Sequence, residues 1–185
     1  WKSTDYGMTW TQVEAGVVTA GSYSSIHFAD EYYGVAGAPG DIIAVTSDGG
    51  ITWSAATATG GGGDIMCCWR HDKNRIWVGT DDGTLWFSRD GGTSWTQRTG
   101  WVGSGVGDVT GMSWYNDHYG FICSDTAAPV GTVLRTIDGG YNWTALDTPA
   151  NSGLTHITAV APDLAYGTGL TNAATSFYFK VRESA

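Results

Sequence analysis

"TSDGGITW", running from Thr46 to Trp53, decides the fold, because the chain says it three more times. "STDYGMTW" runs from Ser3 to Trp10, "SRDGGTSW" from Ser88 to Trp95, and "TIDGGYNW" from Thr136 to Trp143. The shared pattern is Ser/Thr, any residue, Asp, any residue, Gly, any residue, Ser/Thr/Asn, Trp. Its aspartates stand at positions 5, 48, 90 and 138, so successive copies lie 43, 42 and 48 residues apart. A fixed period of this size is the mark of a repeat architecture.

The similarity extends upstream of the octapeptide. "HFADEYYGVAGAPGDIIAVTSDGG" from His27, "WRHDKNRIWVGTDDGTLWFSRDGG" from Trp69 and "SWYNDHYGFICSDTAAPVGTVLRTIDGG" from Ser113 follow one plan. An apolar run, a polar turn, a second apolar run, a glycine-rich turn and a third run enter each octapeptide. A short fourth run follows, as in "TWSAATA" and "SWTQRT". Val, Ile, Trp and Tyr in short runs between Gly and Asp read as strands. Four strands per 40–45 residues is the blade unit of a β-propeller. The expected fold is therefore all-β: one domain over 1–185, with blades near 23–57, 64–98, 107–147 and 155–185, the last supplemented by 1–15.

Within the octapeptide, Asp can accept hydrogen bonds from loop N–H groups as in an Asx turn. Gly supplies a positive φ at no steric cost, and Trp buries a large face between sheets. Asp5, Gly7 and Trp10, Asp48, Gly50 and Trp53, Asp90, Gly92 and Trp95, and Asp138, Gly140 and Trp143 are thus expected to build the fold. None of these aspartates is expected to be catalytic.

The pattern resembles the Asp-box, or BNR repeat, of sialidases, xyloglucan-cleaving glycoside hydrolases, sortilin-type receptors and propeller-type photosystem II assembly factors. That resemblance covers nearly the whole chain. It implies box hairpins between the third and fourth strands of blades, away from the usual ligand face, and is nearly silent on function. Sialidases carry an arginine triad and an Arg-Ile-Pro-like segment. Here Arg89 lies inside a box, Arg135 just before one, and no such segment exists. The hydrolases are much longer, and the receptors carry cysteine-rich modules absent from this sequence.

A formal net charge of −9 repels phosphate backbones, so nucleic acid is not an expected partner. No apolar run is long enough for a membrane-spanning helix, and membrane insertion is not expected. The odd count of three cysteines leaves at least one thiol unpaired within the chain. Cys67, Cys68 and Cys123 show no metal-ligand spacing and read as buried small apolar residues. His27, His71, His118 and His156 form no HxH or HExxH motif, and no cofactor or metal is expected. Asp30–Glu31, Asp72 and Asp117 recur at the first turn of successive repeats, which points to turn chemistry. "GGGG" from Gly60 to Gly63 reads as a flexible linker between blades.

Candidate ligand contacts are aromatic. Trp101 sits in the glycine-rich connector "RTGWVGSGVGD", where an indole could stack on a sugar ring. Trp69 and Trp114 fall on inner strands near a central channel. Trp1, Trp77 and Trp86 are expected in inter-blade packing. Opening at Trp1 without an initiator Met, the chain is expected to have been cut back or to continue upstream. Three arrangements are open: residues 1–15 pair with the strand near Phe177–Val181 and close a four-bladed ring, the chain is part of a larger ring, or several copies share one. The expected function is a non-catalytic binding or structural module on an extracellular or virion surface, with a protein or glycan ligand. A glycoside hydrolase fragment and an assembly factor are the alternatives.

Overall fold

The computed structural model describes residues 1–13, 22–98, 107–125, 132–146, 152–171 and 176–182. The repeat is realised as four antiparallel sheets, each made of consecutive strands in sequence order. The first holds β1 (Ser25–Phe28), β2 (Gly34–Ala38), β3 (Ile42–Thr46) and β4 (Ser54–Ala55). The second holds β5 (Ile65–Arg70), β6 (Ile76–Thr80), β7 (Leu85–Ser88) and β8 (Thr96–Gln97). The third holds β9 (Asp108–Trp114), β10 (Gly120–Asp125), β11 (Thr132–Thr136) and β12 (Thr144–Leu146). The fourth has three strands: β13 (Ser152–Ala161), β14 (Leu164–Thr171) and β15 (Ser176–Arg182).

The core lies between sheets, in three layers. Val35 and Ile43 meet Ile65, Cys68, Ile76 and Val78 between the first and second. Trp77, Leu85 and Phe87 meet Val109, Met112, Trp114, Ile122 and Leu134 between the second and third. Phe121, Cys123 and Val133 meet Leu154, Ile157 and Ala165 between the third and fourth. The middle strand β6, covered on both faces, is continuously buried, whereas β14 alternates buried and exposed residues. That difference follows from strand geometry, because successive side chains face opposite sides.

Close approach between sheets is set by two glycines at matching positions. A Cβ on Gly37 would lie 2.3 Å from Ile65 Cγ2, and one on Gly79 would lie 2.5 Å from Val109 Cγ1. Side chains then tie each inner strand to the next. Cys68 N–H donates to Ser25 Oγ at 3.1 Å, Thr110 Oγ1 donates to Leu154 O at 2.6 Å, and Ala159 N–H donates to Ser113 Oγ at 3.0 Å. A bulge recurs at one place on β5, β9 and β13, leaving Met66, Thr110 and Thr155 unpaired in the ladder.

The four octapeptides share one hydrogen-bond scheme. In the second, Thr46 Oγ1 donates to Asp48 Oδ1 at 2.8 Å and accepts from Gly50 N–H at 3.0 Å. Asp48 Oδ1 accepts from Thr52 N–H at 2.9 Å and Oδ2 from Thr52 Oγ1 at 2.6 Å. Asp5, Asp90 and Asp138 repeat these bonds with Thr9, Ser94 and Asn142. The required positive φ falls at Gly7, Gly50, Gly92 and Gly140.

Several expectations need correction. The inner strands pack in series, β1 on β5, β5 on β9 and β9 on β13, and β13 makes no comparable contact with β1. Of residues 11–15, Thr11 to Val13 are described. Thr11 bridges only to Lys2, and none of the three pairs with β15. The described residues thus form an open arc, not a closed four-bladed ring. Trp1 is 76% exposed instead of packed between blades. The Gly60–Gly63 linker is tied down: Asp41 accepts N–H bonds from Thr59 and Gly60 at 3.0 Å each, and Thr59 Oγ1 donates to it at 2.8 Å. The turn chemistry of Asp30 and Asp72 is present, each accepting two N–H bonds at 2.8 Å. In the third repeat that role belongs to Asn116, one residue before Asp117.

Candidate functional site

The inner strands β1, β5, β9 and β13 surround a channel of about 520 Å³. Alternation along each strand decides which side chains see it. Matching registers put His27, Trp69 and Ser113 at one position, opposite Val35, Trp77 and Phe121. Phe28, Arg70 and Trp114 are the next position along, opposite Gly34, Ile76 and Gly120. The first set lines the channel. The second turns toward the preceding sheet.

Trp69 is half-buried and stacks on His27, with ring centroids 3.7 Å apart and planes 25° from parallel. The Arg70 backbone N–H donates to His27 Nδ1 at 3.1 Å. That leaves Nδ1 as the acceptor and the ring neutral, with its proton on Nε2. Burial, and the nearby His71, push the His27 pKa down to about 4. His71 sits edge-on to Trp114 at 4.7 Å and lies 3.6 Å from Asp117. Burial first, and then the Arg75 charge, hold it near 4 as well, against the opposing pull of Asp117 and Asp72. At neutral pH this end of the channel is an uncharged aromatic wall. Met66, Thr110, Thr155 and His156 continue the lining with thioether, hydroxyl and imidazole groups.

Trp114 also lines the channel, but is nearly buried there. It is 5% exposed, and its ring packs on Trp77 at 5.2 Å and Trp143 at 5.7 Å. One step of strand alternation separates its role from that of Trp69. Trp101 lies outside the described residues. Arg70, at the same position as Trp114, is a structural clamp. Its guanidinium donates to the carbonyls of Gly34 at 2.6 Å, Thr46 at 3.2 Å, Asp72 at 2.9 Å and Lys73 at 2.7 Å.

Carboxylates gather at the other end of the inner strands. Asp64 N–H donates to Asp81 Oδ1 at 2.8 Å, and Asp108 stands opposite Asp125 across β9 and β10. Burial first, then the charges of Asp81 and Asp125, raise the Asp108 pKa. In contrast, the octapeptide carboxylates are held low. Hydrogen bonds from the side chain and backbone of Thr9, Thr52 and Ser94 bring Asp5, Asp48 and Asp90 to about 2. For Asp138 burial opposes the shift, and the Asn142 bonds outweigh it. The octapeptide aspartates are therefore saturated acceptors. Among the described residues, no group of three or more His, Cys, Asp or Glu side chains is placed to hold a metal ion.

Neither a protein-family model nor a curated protein sequence matches the chain. Solved structures do. YCF48 from Cyanidioschyzon merolae is similar at 16% identity with a TM-score of 0.67, covering 88% of this chain and 51% of that one. YCF48 bound to D1 peptide is similar at 20% identity and 0.66, covering 88% and 52%. A GH74 xyloglucanase from Xanthomonas campestris is similar at 14% and 0.60, covering 82% and 27%. The chain spans about half the length of the two YCF48 structures. At these identities the likeness is one of fold, a propeller-like arrangement of antiparallel sheets.

Proposed function

We propose that the chain is a non-catalytic binding module, part of an Asp-box β-propeller that holds a protein or glycan ligand at its channel and works on an extracellular or virion surface. The observation that carries this reading is the stacked pair His27–Trp69 on the channel wall. A rigid, neutral aromatic face is suited to covering an apolar side chain or a sugar ring at low entropic cost. The acidic residues at the opposite end favour a ligand with basic groups. Of the two ligand classes, a protein segment has the added support that a structurally similar protein has been solved with a peptide bound.

Peptide and glycan arrays, run beside a reducing-sugar release assay, test the reading. Binding without turnover, lost in Trp69→Ala, is the expected result. The hydrolase alternative has one observation in its favour: Asp108 is a carboxyl with a raised pKa, as a general acid requires. Sugar release abolished by Asp108→Asn would replace the binding reading with the hydrolytic one.

A further inference from the structure

The layer between the first and second sheets and the layer between the second and third are built from the same positions. The leading face of the second and third sheets offers Cys68 and Met112, then Arg70 and Trp114, then the octapeptide pairs Gly92–Trp95 and Gly140–Trp143. The trailing face of the sheet before offers Val35 or Trp77, both buried, and Phe121 holds the same position toward the fourth sheet. Gly92 lies against Ala56 and Trp95 Nε1 donates to Thr57 O at 2.7 Å, while Gly140 lies against Trp77.

Among the described residues, the first and fourth sheets each carry one unmatched half of this contact. On the first sheet, Ile26 and Phe28 stand at the Cys68 and Arg70 positions, and Ile26 is 62% exposed. With Trp53 and Ile51 they line a groove of about 860 Å³. The nearest neighbours of a Cβ on Gly50 there are Phe28 and Trp53 of its own sheet. On the fourth sheet, Tyr166 stands at the Trp77 position, because Ile157↔Gly167 matches Cys68↔Val78 after equivalent bulges. Tyr166 is 44% exposed.

A second incompleteness has the same address. Among the described residues the fourth sheet has three strands, with β15 at its edge. The hairpin of residues 1–13 lies on the rim of the first-sheet groove, where Lys2 Nζ donates to Gly49 O at 2.8 Å. Its Trp10-Thr11-Gln12 repeats Trp95-Thr96-Gln97, the entry into the fourth strand of the second sheet. Within one chain the two parts do not meet, since β13 makes no comparable contact with β1.

We propose that a second copy of this chain docks its fourth sheet on the first-sheet groove, continuing the inter-sheet contact from one molecule to the next. Tyr166 of the second copy then packs on Phe28, Gly50 and Trp53 as Trp77 packs on Trp114, Gly140 and Trp143. Thr11 exchanges the Lys2 backbone for that of Lys180 in the second copy, which the register places opposite it as Phe87 is opposite Thr96. The contact is heterologous and closes when made twice. Two copies bring together eight of the described sheets, within the usual range of propeller rings.

Light scattering on the full chain at about 10–300 μM tests this, with the usual link between interface loss and dissociation. The expected mass is twice the chain's 19.6 kDa. Ile26→Asp and Tyr166→Ala each change an exposed side chain, and each should weaken association at least about tenfold with an unchanged far-UV spectrum. A wild-type monomer across that range, or a dimer indifferent to both substitutions, overturns the proposal. Thr11→Cys with Lys180→Cys tests the strand exchange: a disulfide joining two chains supports it, and one within a single chain, or none, overturns it.

Discussion

Gly140 lies flat against Trp77: a Cβ built on the glycine would stand 2.4 Å from the indole Cη2 and 2.6 Å from Cζ2. The glycine of the fourth octapeptide thus answers two demands, a φ of 82° and contact with the neighbouring sheet. Gly140→Ala is expected to cost about 1–3 kcal/mol from overpacking, with about 1–2 more for the left-handed backbone. Gly7→Ala shares the φ but meets only Trp10 at 3.9 Å. It should cost the backbone part alone, and urea unfolding of the two variants measures the difference.

Arg70 is buried with its guanidinium on four carbonyls from two sheets. Arg70→Lys keeps the charge and loses the planar fork, leaving buried acceptors unpaired. A loss of about 3 kcal/mol in urea unfolding is expected, since each orphaned buried acceptor costs about 1–3 kcal/mol.

Acid should weaken the fold in two stages. His27 and His71 titrate near 4 when folded, against about 6.5 when unfolded. The unfolded chain therefore takes up protons first, and their contribution, complete above about pH 6.5, is lost as pH falls toward 4. Asp5, Asp48 and Asp90 titrate near 2 when folded, below the unfolded value of about 3.9. Their contribution is complete above that value and is lost as pH falls toward 2. Denaturation midpoints at pH 7.5, 5 and 3 should descend in order, and replacing both histidines by Phe should flatten the first step only.

All three thiols are free and buried, with Cys68 pushed up to about 11 and Cys123 to about 12 by burial. Burial raises the Cys67 thiol as well, with the neighbouring thiols adding to it. The folded protein should leave an aromatic disulfide reagent unreacted at pH 8, and the protein in guanidinium should release three equivalents.

The period and the strand runs were readable because the octapeptide spends its residues on local chemistry. Ser/Thr, Asp and Gly bond to each other within eight residues, so their spacing is preserved in the sequence. What the sequence concealed depends on contacts between repeats. Trp69 and Trp114 look alike as inner-strand aromatics and both line the channel, yet one step of alternation leaves the first half-buried and stacked on His27 and buries the second against Trp77 and Trp143. Arg70 and Phe28 hold one position with opposite chemistry, so no pattern marks Arg70 as a clamp. The only advance signal for His27 was its place in the register opposite Val35, equivalent to that of Trp69, and this emerges once the sheets are aligned. The glycines Gly37 and Gly79 shared a repeat position and could have been matched by eye.

Among the described residues, each sheet packs chiefly on the sheets before and after it, and this has a consequence for how the molecule comes apart. Inner sheets are held from two sides and terminal sheets from one. In a dissociated single copy the free energy of local opening should therefore rise from the first and fourth sheets toward the second and third, so that amide protons of β6 and β10 exchange last. The same nearest-neighbour wiring makes a whole repeat the natural unit of gain or loss, because adding one disturbs a single junction and leaves every other packing layer as it was.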